Sequence, residues 1–228
     1  MVHHSTHSRR FVIPDIHGCA LTLDRLLFRV LGLTRRDDLY LLGDYIDRGP
    51  RSREVMDLLI SLSLKGYRVR ALRGNHEEMF LNGCRDRNAF RLWTLNGGLA
   101  TLGSFGVGDA CEVPAHYRRF MEQMPCYLVL PDFVLVHASL DLSLPDPFVN
   151  REAMLWSRSL EVRRERLGGR RVIGGHTPMT RQEIEQGLAT DRIVLDNGCV
   201  YPERPGMGSL AALELDGMTL HFQENIDR

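Results

Sequence analysis

The stretch Leu39-Tyr40-Leu41-Leu42-Gly43-Asp44-Tyr45-Ile46-Asp47-Arg48-Gly49-Pro50 constrains this chain more than any other. A short apolar run stops abruptly at Gly-Asp-x-x-Asp-Arg-Gly-Pro. Apolar runs of that length bounded by turn residues read as buried strands. Two acids and an arginine then lie on the loop at the strand's carboxyl end, the edge where open α/β sheets bind ligands. Two carboxylates three residues apart beside a guanidinium point to a metal site next to an anion site, although Asp-Gly-Pro clusters are also ordinary turn chemistry.

The neighbouring strands weigh against the turn reading. Residues 10–14 read as a strand running into Asp15-Ile16-His17-Gly18, followed by Leu23, Leu26, Leu27 and Val30 at helical spacing. Residues two apart leaving a strand face the same way, so Asp15 and His17 can hold one cation together. Mixed oxygen and nitrogen ligation suits Mn, Fe or Zn better than Ca or Mg. Residues 53–64 read as a helix with Val55, Leu58, Leu59 and Leu62 on one face, ended by Gly66. Residues 68–72 are a third short strand, ending in Arg73-Gly74-Asn75-His76-Glu77-Glu78. Three successive strand ends deliver residue types that ligate metals.

Length and charge set the outer bounds. A chain of 228 residues accommodates one large α/β domain. Residues 1–9 read as a flexible tail in which His3, His4 and His7 are a loose terminus, and residues 10–228 as the domain. With 29 basic and 29 acidic residues, the chain has no long-range attraction for nucleic acid or acidic membranes. No apolar stretch approaches a membrane span, and the start has no apolar signal-peptide core. The five cysteines (Cys19, Cys84, Cys111, Cys126, Cys199) are odd in number and form no CxxC, so a cytoplasmic location is expected over a disulfide framework.

Further along, residues 78–125 are mostly helical around a Gly-rich break, Leu95-Asn96-Gly97-Gly98. This segment either caps the site or packs as a subdomain, and packing is the simpler expectation. His116 there has no ligand-like neighbours. Residues 127–130 and 133–136 read as a hairpin across Pro131-Asp132, the second run ending at His137-Ala138. Val172-Ile173 leads into Gly174-Gly175-His176-Thr177-Pro178, so two more strand-end histidines fit the count a second metal needs. Between them lies Leu155-Trp156-Ser157-Arg158, with Trp156 read as packing and Arg158 able to reach an anion. Residues 163–166 read as a solvated helix face. Residues 210–215 and 218–222 join across Asp216-Gly217, a strong hairpin signal, with His221 structural.

Asp15, His17, Asp44, Asn75, His137 and His176 together form a donor set in which Asp44 can bridge two cations. In two-metal sites the ions sit about 3.5–4 Å apart and share a nucleophilic hydroxide, which suits in-line attack on phosphorus. Arg48 and Arg158 have the planar fork that matches phosphoryl oxygens. His76, beside Asn75, is placed to protonate a leaving alkoxide, with Asp47 as its orienting carboxylate.

In this order, Asp15-x-His17-Gly18, Gly43-Asp44-x-x-Asp47-Arg48-Gly49, Gly74-Asn75-His76-Glu77, His137-Ala138 and Gly175-His176-Thr177-Pro178 resemble the PPP-type metallophosphoesterases. The small bacterial and phage branch, similar to bacteriophage lambda protein phosphatase, is nearest. The resemblance implies an α/β fold of the calcineurin-like αββα type, two mixed β-sheets flanked by helices with a helical insertion. It implies two divalent metal ions, commonly Mn, with Fe, Zn, Co or Ni as other candidates. Asp15, His17 and Asp44 would hold the first; Asp44, Asn75, His137 and His176 the second. His76 with Asp47 would be the acid pair, and Arg48 and Arg158 the phosphate clamp. Arg73 lies near the phosphate or serves the structure. Pro14, Ser139 and Asn197 depart from residues common in the family without removing a ligand.

Three functions compete. The first is a protein serine/threonine phosphatase acting on phosphorylated protein or small phosphoesters. The second is a symmetrical diadenosine tetraphosphate hydrolase of the same family, to which the intact Asp47-Arg48 and Asn75-His76-Glu77 are less similar. The third is a catalytically inactive phosphate-binding module, which the complete ligand set counts against. Substrate, metal identity and oligomeric state are not written in the sequence.

Overall fold

The computed structural model describes residues 8–227, so the His3, His4 and His7 expectation lies outside the described residues. Apolar residues alternate with polar ones, or run together, in nine short strands: β1 Arg10–Ile13, β2 Asp38–Leu41, β3 Arg68–Ala71, β4 Tyr127–Val129, β5 Phe133–Val136, β6 Arg171–Gly174, β7 Arg192–Val194, β8 Ser209–Glu214 and β9 Thr219–Glu224. They form two sheets, of order β3-β2-β1-β8-β9 and β4-β5-β6-β7. Both are mixed. β1, β2 and β3 are parallel, as are β5, β6 and β7, while β8, β9 and β4 join antiparallel.

Side-chain alternation divides the core into layers. Val12, Tyr40, Leu135, Ile173, Ile193 and Leu213 fill the space between the sheets. Phe11, Ile13, Leu39 and Leu41 point the other way, under a helical layer. Val134, Val136 and Val172 face outward beneath Met154, Leu140, Leu142 and Leu167. The last cover is thin: helix Arg151–Trp156 (α7 in chain order) and a single turn, Arg164–Leu167, where a solvated helix face was expected.

The helices follow their apolar spacing. α1 (Ala20–Arg25) continues through a wide turn, Leu26–Val30. α2 (Ser52–Leu64) buries Val55, Met56, Leu59 and Leu62 and stops before Gly66, whose φ of 79° ends the helix. Met56 takes the buried place expected of Leu58, which is half-buried. Each such buried aliphatic side chain contributes about 1.5–3 kcal/mol. α3 (Asn75–Gly83), α4 (Arg87–Trp93), α5 (Leu99–Phe105) and α6 (Ala115–Glu122) make the middle segment, and α8 (Arg181–Gly187) carries a capping box from Thr180 and Glu183. Among the described residues no helix is long and apolar enough to cross a membrane.

Arg9, assigned to the tail from sequence, is tied down. Its Nε and Nη2 donate to Asp37 at 3.1 and 2.8 Å, and its backbone amide donates to the same carboxylate. Thr34 adds its amide and hydroxyl to Asp37. Burial pushes the Asp37 carboxyl up, but the Arg9 fork and Thr34 outweigh it, and the net shift is downward. A depressed carboxylate stabilises the fold above its unfolded value, near 3.9, and loses that contribution as pH falls through the folded value. Asp37→Asn is expected to cost about 1–3 kcal/mol near neutrality. In urea titrations that gap should narrow progressively below about pH 4; a gap independent of pH would exclude an ionic origin.

Candidate metal centre

Both sheets present the carboxyl ends of parallel strands at one edge, and the residues singled out in the sequence gather there. The loops after β1 and β2 bring Asp15, His17, Asp44, Asp47 and Arg48. The start of α3 brings Asn75 and His76, and the ends of β5 and β6 bring His137 and His176. All but Arg48 and His176 are buried.

Backbone geometry concentrates strain at this edge. Among the described residues, His17, Asp44, Asp47, Arg48, His176 and Met218 are the non-glycine residues with positive φ, and the first five belong to the site. Such conformations cost about 1–3 kcal/mol each and persist only where the surroundings over-determine them. Gly43, at φ 113°, passes so close to Gly74 that an added Cβ would lie 2.5 Å from the Gly74 nitrogen. The carboxylate that locks this crossing is Glu77. It accepts the amides of Asp44 and Tyr45 at 2.8 Å and of Gly74 at 2.9 Å, with Ile46 at 3.4 Å. Sequence reading passed over Glu77, although its place in Gly74-Asn75-His76-Glu77 is a capping-box spacing.

The donor atoms converge in two overlapping groups, His17, Asp44 and His76, and Asp44, His137 and His176, with Asp44 common to both. His17 Nδ1 donates to the Ile46 carbonyl at 2.9 Å, and His137 Nδ1 to that of Leu42 at 3.0 Å. A carbonyl only accepts, so both rings carry their proton on Nδ1 and aim the Nε2 lone pair inward. His17 Nε2 lies 3.5 Å from Asp44 Oδ2, and His137 Nε2 lies 3.6 Å from Asp44 Oδ1 and 2.8 Å from Asn75 Oδ1. Acceptors facing acceptors in a buried place need a cation among them. Backbone carbonyls fixing the outer nitrogens of metal-ligating imidazoles are the usual support for such a cation. The donor chemistry fits divalent metal.

Electrostatics agree. Burial, then the neighbouring Asp196, holds Asp15 well above its usual value; burial, then Asp15 and Glu77, does the same to Asp44. Burial pushes Asp196 up to about 6 and Glu77 up to about 7. Burial lowers His17 and His137 far below the ordinary imidazole value and His176 to about 4, leaving all three in the neutral form that ligates. Arg48 is the cation that Asp15, Asp44, Asp47 and Asp196 all feel, and its Nη1 donates to His17 Nε2 at 2.6 Å. Its positive charge sits against the lone pairs that ask for one.

Strand alternation does not extend from Asp15 to His17. His17 leaves the strand with φ 47°, so the alternation ends before it. Asp15 turns to the His176 amide, 2.9 Å from Oδ1, and stays beside Asp44 and Asp196. Asp196, 4% exposed, was missed because a lone acid beside Asn197-Gly198 reads as a turn.

The acid pair is close: His76 Nδ1 is 2.7 Å from Asp47 Oδ2. Trp93 Nε1 donates to the same oxygen at 2.8 Å, and the Thr101 hydroxyl to Oδ1 at 2.6 Å. The middle helices therefore supply the groups that orient Asp47, which corrects the packing-only expectation. Gly97 accepts the Arg48 amide at 3.1 Å, and Gly98 lets the chain pass over the Trp93 indole.

Arg158 is exposed at the rim, near enough to His176 to depress it. Arg73 is structural: its guanidinium pairs with Glu78 at 3.1 Å and caps the Glu122 carbonyl. Ser139 Oγ donates to the Ser159 carbonyl at 3.0 Å, bracing the segment that carries Arg158. The Asn197 amide donates to the Met179 and Gly206 carbonyls at 2.9 Å. Both departures from the family pattern act as braces.

A family model described as calcineurin-like phosphoesterase matches residues 8–182. The chain belongs to that family. It is 27% identical over 215 residues to an asymmetrical bis(5'-nucleosyl)-tetraphosphatase of Bacillus velezensis, covering 83% of this chain and 84% of that protein. It is 29% identical over 180 residues to serine/threonine-protein phosphatase 1 of Salmonella typhimurium, covering 75% and 80%. A protein serine/threonine phosphatase of Saccharomyces cerevisiae shares the fold, with a TM-score of 0.67 at 16% identity over 99% of this chain and 82% of that one. This chain is a metallophosphoesterase-family hydrolase whose relatives divide between phosphoproteins and nucleotides.

Trp93→Phe keeps the ring packed against Phe80 and Phe90 but removes the indole donor to Asp47. A lost hydrogen bond of about 1.5–3 kcal/mol to a charged group should lower kcat on an alkyl phosphoester by roughly tenfold or more. The melting temperature should move little; a variant with unchanged kcat would remove Trp93 from the acid's support.

Proposed function

We propose that this chain is a metal-dependent phosphomonoesterase of the protein serine/threonine phosphatase kind. The observation that carries the reading is the buried His76–Asp47 pair, supported by Trp93 and Thr101. Serine and threonine alkoxides are poor leaving groups and need a proton in the transition state. A nucleotide leaving from a phosphoanhydride departs as a phosphate and needs none, so an acid built this carefully favours alkyl phosphomonoesters.

In this reading Asp15, His17 and Asp44 hold one divalent ion, and Asp44, Asn75, His137 and His176 a second. When bound, these ions, with manganese suited to the mixed donors, supply charge to activate water and to neutralise phosphoryl oxygens. Arg48 and Arg158 flank the donor set and bind the outer phosphoryl oxygens with planar forks. Asp47 accepts from His76 Nδ1, which leaves Nε2 facing Asp44, 3.9 Å from its Oδ2, as the atom that carries the proton to the leaving oxygen.

A second reading, hydrolysis of a dinucleoside tetraphosphate, is favoured by the Bacillus velezensis relative matched over 215 residues, which carries the name of an asymmetrical rather than a symmetrical bis(5'-nucleosyl)-tetraphosphatase.

Chelator-stripped protein lacking residues 1–7 should lose p-nitrophenyl phosphate hydrolysis. Activity should return with added Mn²⁺ and saturate near two ions per chain. Inactivity with Mn, Fe, Co, Ni and Zn alike would instead support an inactive binding module. His76→Asn should lower kcat on alkyl phosphates by on the order of 10²–10³-fold. The loss should be much smaller on p-nitrophenyl phosphate, whose leaving group needs little protonation. Equal losses on both would remove His76 from the acid role.

A further inference from the structure

Beside Arg48 lies an open cavity of about 410 Å³ walled by Leu95, Asn96, Gly97, Val200 and Tyr201. None of these residues has a part in the donor set or the acid pair. Two guanidinium groups flank the Tyr201 ring, Arg48 with its carbon 5.9 Å from the centroid and Arg204 at 4.1 Å. Arg204 is held over the ring by its own backbone, since its amide donates to the Tyr201 carbonyl at 3.0 Å, and Tyr201 in turn donates to Gly198 at 2.8 Å. The nearest acid, Glu203, is 3.9 Å from Arg204 Nε, and both side chains are more than half exposed. That pairing is weak, so the charge on Arg204 is free to meet a ligand. Opposite, Leu95 is 85% exposed and offers an apolar surface across the cavity.

We propose that Tyr201 and Arg204 form a specificity subsite for an acidic side chain near the phosphorylated residue of a peptide substrate. The inference rests on the phosphomonoesterase reading, because the phosphate on Arg48 fixes where the peptide begins. An extended chain advances about 3.3 Å per residue, so a carboxylate a few residues from the phosphoserine reaches Arg204 along the Tyr201 face. The methylene stem of that residue packs between Tyr201 and Leu95. The chain's net charge is zero, yet Arg48 and Arg204 set two guanidinium groups at this cavity, which attract an acidic segment at short range. The shared chemistry, an anion beyond the scissile phosphate beside an aromatic face, also describes a nucleotide, and the experiment separates the two.

The metal-loaded enzyme is assayed by kcat/KM on a phosphoserine peptide with flanking glutamates, on the same peptide with glutamines, on p-nitrophenyl phosphate and on diadenosine tetraphosphate. Wild type should prefer the acidic peptide by on the order of fivefold at low salt, and the preference should shrink as salt rises. Arg204→Glu should reverse the preference, Arg204→Lys should keep most of it, and Tyr201→Ala should weaken it. Equal rates on the two peptides, or a preference that survives Arg204→Glu, overturns the subsite while p-nitrophenyl phosphate turnover still upholds the phosphatase. Dinucleotide cleavage that exceeds both peptides and depends on Arg204 overturns the peptide in favour of a nucleotide. No hydrolysis of any substrate overturns the phosphatase reading and the subsite with it.

Discussion

The carboxylate of Glu77 holds together the two loops on which everything else at this edge depends. Asp44 has a φ of 54° and its neighbour Gly43 crosses within van der Waals contact of Gly74. Neither arrangement is favourable alone. Three short amide bonds to one buried carboxylate, each worth about 1.5–3 kcal/mol as a charged hydrogen bond, offset both the strain and the desolvation that pushes Glu77 up to about 7. The same residue lies in the first turn of α3, so the helix that carries Asn75 and His76 is fixed to the loop that carries Asp44. One interaction sets the spacing between the Asp44 carboxylate and the residues opposite it.

The site consequently draws on both sheets without belonging to either. Parallel strands β1 and β2 contribute from one sheet and β5 and β6 from the other, while the core between them, Val12, Tyr40, Leu135 and Ile173, keeps the two edges level. Cross-sheet bonds complete the join: His137 Nδ1 to the Leu42 carbonyl, and the His176 amide to Asp15. Movement of one sheet against the other would separate the donors, so packing between the sheets is also what keeps Asp44 within reach of both histidine groups.

Much of this was legible because strand ends announce themselves. An apolar run followed by Asp, His or Asn needs no tertiary information, and Asp15, His17, Asp44, Asn75, His76, His137 and His176 were all found that way. What escaped depended on contacts between distant segments. Trp93 and Thr101 come from helices with ordinary amphipathic spacing, and nothing local marks a tryptophan whose indole reaches Asp47. Asp196 looks like a turn residue until the fold buries it beside Asp15. The alternation argument for Asp15 and His17 does not carry through, since it needs an extended backbone and His17 has a positive φ. Ser139 and Asn197 looked like departures from a pattern, yet each satisfies carbonyls that the commoner residues would meet differently.

Burial sets how protons are shared within the His76–Asp47 pair. Burial first, then the charges of Arg48 and His176, holds its imidazole far below the usual value, while burial pushes Asp47 up to about 7. In the free protein the imidazole is therefore neutral and Asp47 is the better proton holder of the two, and a permanently charged imidazolium would compete with the cations the donor set calls for. In the proposed reaction a phosphoryl group between Arg48 and Arg158 would offset the part of that depression due to charge and leave the larger part due to burial. Asp47, anchored by Trp93 and Thr101, keeps the ring aimed throughout.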